Sequence, residues 1–143
     1  MKDNTRKYKY RKSEKGKISA VKYKQSKKKR CRKLINAIKE YNGCLNADCH
    51  WIGKYDAVLL DFHHLDRNEK SVQIGSSDSR SFKFILEEAK KCTVLCANCH
   101  RLATWKNLDL SGCEKCKLPE KFELYLAQVN ISAKTAWRQL KLD

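Results

Sequence analysis

Three of the chain's four histidines stand among other residues able to do chemistry. His63 and His64 lie in Leu60-Asp-Phe-His-His-Leu-Asp66, and His100 directly follows Cys99 in Lys91-Cys-Thr-Val-Leu-Cys-Ala-Asn-Cys-His-Arg101. An imidazole can take a proton from water near neutral pH, and in its neutral form it ligates metal ions. The cysteines are spaced for a metal as well. Four residues separate Cys44 from Cys49 and two separate Cys96 from Cys99, and each pair bounds a tight turn. Zinc favours four soft ligands in a tetrahedron, and a structural site fills all four positions with protein atoms. Two such turns from distant parts of a small chain predict one closed Zn2+ site at Cys44, Cys49, Cys96 and Cys99, a staple across a long loop. Cys113 and Cys116 form a further pair, while Cys31 and Cys92 are single. A second zinc would need two more ligands that the sequence does not supply, and Cys92 reads as a small buried apolar residue.

The surrounding pattern says how these groups are carried. Residues 56–64 form an aliphatic, β-branched run expected to be a strand that delivers the histidines to its end. Neighbours on a strand face opposite sides, so His63 and His64 can act together only where that strand ends or bends. Phe82, Ile85, Leu86 and Ala89 predict a helix over 81–91 with a core-facing stripe. Thr93-Val94-Leu95 reads as a second strand running into a helix that carries Cys96 to Trp105. His100 would sit one helical step, about 100°, beyond a zinc ligand, and can point toward the end of the first strand. Leu34, Ile35, Ile38 and Tyr41 predict a helix over 28–41. Phe122, Tyr125, Leu126 and Val129, then Ala136, Trp137 and Leu140, predict two C-terminal helices parted near Asn130.

Charge is concentrated at one end. Of a net +16, residues 1–40 hold 17 Lys and Arg against Asp3, Glu14 and Glu40, whereas residues 41–143 hold 15 basic and 13 acidic side chains. A basic arm on a near-neutral body is the footprint of a polyanion binder, because each neutralised phosphate releases counterions. The candidate contacts are Lys9, Arg11, Lys12, Lys22, Lys24, Lys27, Lys28, Lys29 and Arg30, with Arg101 beside the histidine site. Tyr8, Tyr10 and Tyr23 offer rings for stacking. A silent solvated tail and an anionic membrane surface are the competing readings of the same charge. Upstream of Lys28 the arm is expected to be disordered or loosely helical until it binds. It contains a short repeat, Tyr10 to Lys17 against Tyr23 to Arg30, too brief for a solenoid. The longest aliphatic run, Ala57-Val58-Leu59-Leu60, cannot cross a bilayer, and the lysine-rich start lacks the apolar region of a signal peptide. A cytoplasmic or nuclear location is therefore expected, in keeping with eight cysteines held reduced.

Over about residues 44–105 the two quoted segments together resemble the HNH, or ββα-metal, endonucleases, in particular the zinc-braced phage and viral members. The resemblance implies a small ββα-metal core with a four-cysteine zinc site, and with the basic N-terminal arm and helix and the C-terminal helices read above the expected fold class is α+β. With those outer parts added, it gives expected domains at 1–40, 41–108 and 109–143, acting as arm, nuclease core and helical extension. It matches His64 to the general base, and His63 and His100 to ligands of a catalytic Mg2+ or Mn2+. The implied activity is hydrolysis of DNA phosphodiester bonds, with double-stranded DNA the expected partner, RNA left open, no membrane, and oligomeric state undetermined. Two positions depart from the pattern. Thr104 stands where the family usually has a second helix His or Asn, and Lys91 where it has its middle Asn. A zinc-containing nucleic-acid-binding module with weakened catalysis is the alternative these departures support. A recruitment or packaging factor acting through the C-terminal helices is a weaker third reading.

Overall fold

The computed structural model describes residues 4–50, 56–76, 80–107, 110 and 112–122. The helices expected beyond Phe122 fall outside the described residues. The basic arm, expected to be disordered or loosely helical, is helical. Helix α1 spans Asn4–Lys12 and helix α2 spans Glu14–Asn42, so the helix expected over 28–41 begins fourteen residues earlier. Lys, Arg, Gln and Ala favour helix without needing a buried face, and the hydrophobic period reports burial rather than helicity. Beyond Gly16 only the second half of α2 is packed, through Cys31, Leu34, Ile35 and Ile38, while between Lys17 and Arg30 no residue is buried.

The break between α1 and α2 is a local device. The Ser13 hydroxyl donates to the Tyr10 carbonyl (2.6 Å) and accepts from the Gly16 amide (3.2 Å), capping α2 while closing α1. Gly16 is buried against the end of α1, where a Cβ would overlap the Tyr10 carbonyl oxygen. At its far end α2 stops at Gly43, whose φ of 65° suits glycine and whose amide bonds the Lys39 carbonyl at 2.9 Å.

Two strands form an antiparallel pair, β1 (Leu60–His64) and β2 (Cys92–Cys96). The register sets His63 opposite Thr93 and His64 opposite Cys92. The strand expected from residue 56 begins only at Leu60, because Ala57–Leu59 forms a 3₁₀ turn. Between the strands lies α3 (Phe82–Ala89), capped by Ser81, and α4 (Ala97–Trp105) follows β2 directly. The fold is thus small α+β, with helices around a two-stranded sheet.

A lone two-stranded pair is marginal in water, so the helices must supply the stability. Leu34 and Ile38 of α2, Leu60 of β1, Ile85 and Leu86 of α3, Val94 and Leu95 of β2 and Ala103 of α4 form one core. Cys116, Leu118 and Phe122 join it from the C-terminal side. Asn42 clamps that segment: its side chain donates to the Lys117 carbonyl (2.8 Å) and accepts from the Lys117 amide (2.7 Å). Among the described residues, no helix is long and apolar enough to cross a membrane.

Candidate metal centre and histidine groove

The sulfurs of Cys44, Cys49, Cys96 and Cys99 all lie within 4.8 Å of one another. Two local turns make this possible. After α2 the chain bends through 43–49, where the Leu45 amide bonds the Val94 carbonyl (2.8 Å) and ties the turn to β2. The Cys49 amide then closes onto the Asn46 carbonyl at 3.0 Å, and the Asn46 side chain donates to the Cys99 sulfur at 3.3 Å. On the other side Cys96 ends β2 and caps α4, its sulfur accepting from the Cys99 amide at 3.5 Å. Cys49 and Cys96 sulfurs stand 3.9 Å apart. Thiolates on a tetrahedron with bonds of about 2.3 Å would be separated by roughly 3.8 Å, so the donor set and spacing suit a metal such as zinc.

Burial pushes the Cys44 thiol up and the Cys99 thiol up to about 12. The thiol form is favoured without a cation, and a bound ion must displace those protons. Cys92 and Cys116, also buried and pushed up to about 12, lie outside this cluster. Cys116 accepts from Asn42 at 3.4 Å, and its amide bonds the Cys92 carbonyl at 2.7 Å, so both pack as core residues.

His63, His64 and His100 border a groove of about 480 Å³. Alternation along β1 puts Asp61 and His63 on one face and Leu60, Phe62 and His64 on the other. His100, one position beyond Cys99 on α4, approaches the first face: its ring centre is 5.2 Å from that of His63, and its Nδ1 is 3.3 Å from an Asp61 oxygen. Burial lowers the proton affinity of His63, helped by the positive charge of His100, Arg67, His64 and Lys70. The neutral ring, the form that ligates a metal, is thereby favoured. Lys39, its ammonium pulled down by burial and partly restored by Asp61, stands 4.0 Å from that carboxylate.

His64 ends β1 and also borders the groove, though its side chain is only 8% exposed. Its Nε2 lies 2.8 Å from an oxygen of Glu88, a carboxylate 2% exposed. Lys91 Nζ reaches the second oxygen at 2.9 Å, and the Ser71 and Val72 amides donate to the first at 2.8 and 3.3 Å. Burial alone would raise the Glu88 carboxyl, but the hydrogen bonds from Lys91, His64, Ser71 and Val72 bring it down to about 2.

Thr104 also borders the groove, but its hydroxyl donates to the His100 carbonyl at 2.9 Å, an ordinary helical back-bond. Lys91 holds the 65–76 loop, donating to the Glu69 carbonyl (3.2 Å) and the Ser71 hydroxyl (3.3 Å) as well as to Glu88. Of the basic residues singled out above, Lys9, Arg11 and Lys12 lie on α1, and Lys22, Lys24, Lys27, Lys28, Lys29 and Arg30 on α2, where Lys27 and Arg30 are half-buried and the other four exposed. Arg101 is exposed on α4 beside His100.

Sequence reasoning gave no role to Asp61 or Glu88. Asp61 carried a signal, since a residue two before His63 shares its strand face. Glu88 carried a weaker one, an acid set against the apolar stripe of α3. No family model, no curated protein and no solved structure matches this chain.

Proposed function

We propose that this protein is a metal-dependent nuclease of the HNH, or ββα-metal, type, hydrolysing DNA phosphodiester bonds. The observation that carries this reading is one groove bordered by His63, His64 and His100, with Arg67 and Lys70 at its margin. His64 takes the proton from the attacking water, as a neutral imidazole can near pH 7. His63 and His100, with Asp61 beside them, are the groups to hold a divalent ion. When bound, Mg2+ or Mn2+ would neutralise charge on the scissile phosphate and leaving oxygen. Arg67 and Lys70 draw the phosphate into the groove, and the basic faces of α1 and α2 add affinity along the backbone. The four cysteines, holding zinc, brace the junction that aims His100 at His63.

A second reading is a zinc-braced nucleic-acid-binding module without cutting. It is favoured by Thr104, whose hydroxyl is spent on its own helix. Incubating supercoiled plasmid with zinc-loaded protein and Mg2+ or Mn2+ separates the two. Nicked or linear product that disappears in His64→Ala, with DNA binding retained, supports the nuclease. No product from the intact protein with any divalent ion would sink it, and cutting undiminished in His64→Ala would remove His64 as the base.

A further inference from the structure

The buried face of α3 is apolar at Ile85, Leu86 and Ala89, yet Glu88 shares it at 2% exposure. An ionised carboxylate is costly to bury unless its lone pairs are matched. Here they are, by Lys91 on one oxygen and by His64, Ser71 and Val72 on the other. The contact to His64 joins residues 24 positions apart, and it engages the ring of the residue assigned to take a proton from water.

The chemistry of the contact determines the tautomer. An ionised carboxylate only accepts, so Nε2 must donate, and a neutral imidazole then has its lone pair on Nδ1. We propose that Glu88 is the positioning residue of His64, holding the Nε2–H tautomer so that Nδ1 is the nitrogen that accepts the proton at the groove. This rests on the hydrolytic reading above and assigns that site its orienting group. In the step, a water O–H bond breaks and the proton passes to Nδ1, the water oxygen forms a bond to phosphorus, and the P–O bond to the leaving sugar oxygen breaks, that oxygen taking its proton from solvent. The resulting imidazolium keeps its Nε2–H on the Glu88 carboxylate, which stays ionised and takes no proton itself. Lys91 and the two backbone amides keep the carboxylate in place, so the ring cannot swing to use Nε2. The same bonds secure the loop that carries Arg67 and Lys70, and so couple the ring's orientation to the groove's basic margin.

The test uses full-length, zinc-loaded protein with ¹⁵N-labelled histidine rings and reads the His64 tautomer from two-bond ¹H–¹⁵N correlations, without any catalytic ion. The expected spectrum has a protonated Nε2 and an unprotonated Nδ1. A neutral His64 protonated on Nδ1, or one mixing both tautomers, overturns the proposal, and this needs no substitution. Glu88→Gln, checked for zinc content and helicity, should give a mixture of tautomers. It should also lower kcat on plasmid at least about 100-fold, with KM for DNA little changed, since misorienting a base can cost up to about 10⁴-fold. An unchanged tautomer and unchanged kcat in Glu88→Gln also overturn it. The expected tautomer in a protein that cuts nothing leaves Glu88 as the group holding the ring and removes the hydrolytic reading alone.

Discussion

Replacing Cys99 by serine changes little but one sulfur, because the hydroxymethyl group fits the same space in the first turn of α4. What it removes is one of four donors that lie within 4.8 Å of one another. Structural zinc in four-ligand sites contributes about 10–16 kcal/mol at neutral pH, while a whole domain is stable by only about 5–15 kcal/mol. Beyond the Leu45 amide on the Val94 carbonyl and the Asn46 side chain on the Cys99 sulfur, a two-stranded sheet with α2, α3 and α4 around it has little else to hold the 43–49 turn against β2. Loss of one ligand should therefore cost several kcal/mol and lower Tm by more than about 10 °C. Circular dichroism melts and metal content per chain measure it, with excess chelator on the wild type expected to reproduce the variant. Cysteine thiols ordinarily titrate near about 8.5, and burial pushes Cys44 higher and Cys99 to about 12. Zinc binding at pH 7 should thus release about four protons, readable by calorimetry in buffers of different ionisation enthalpy. Cys92→Ala is the control: a buried thiol outside the cluster, it should keep the metal and cost about 1–2 kcal/mol. Wild-type protein purified without metal, or Cys99→Ser with unchanged metal content and Tm, refutes the reasoning.

Other outcomes follow from the same structure. Because the folded-state pKa of Glu88 is depressed from 4.5 to about 2, its contribution is present above about pH 4.5 and is lost as pH falls toward 2. That contribution amounts to roughly 3 kcal/mol; stability curves of wild type and Glu88→Gln should converge across this window, and parallel curves would contradict it. Gly16→Ala should unseat α1 from α2, since the added carbon overlaps the Tyr10 carbonyl. Chemical shifts of residues 4–16 should move while the Tm of the body stays within about 2 °C. Deleting residues 1–30 spares the core, whose first member is Cys31, and should weaken DNA binding and flatten its dependence on log salt; an unchanged slope rejects the basic helices as the DNA contact.

Several features could be read directly from the chain because their physics is local. The spacing of Cys44 with Cys49 and of Cys96 with Cys99 makes each a turn that presents two sulfurs. The apolar period of α3 marks its buried face, and the strand alternation lets His63 and His64 border one groove only at the strand's end, where His64 stands. The full extent of α2 was hidden, since a helix stabilised by propensity and a Ser13 cap shows no apolar stripe where nothing packs on it. The strand's start was misplaced because aliphatic residues suit a 3₁₀ turn as well as a strand.

Only the tertiary structure decided which distant groups meet. The pairing of β1 with β2 in one register lays Asp61 and His63 under α4 and within reach of His100. The closure of α3 onto the end of β1 turns Glu88, which its sequence neighbours would leave as one more charged helix residue, into a buried partner of His64. No local signal encodes such contacts, because they depend on how whole elements pack. Residue types and spacing therefore determined which side chains could ligate or accept a proton, and packing determined which of them meet.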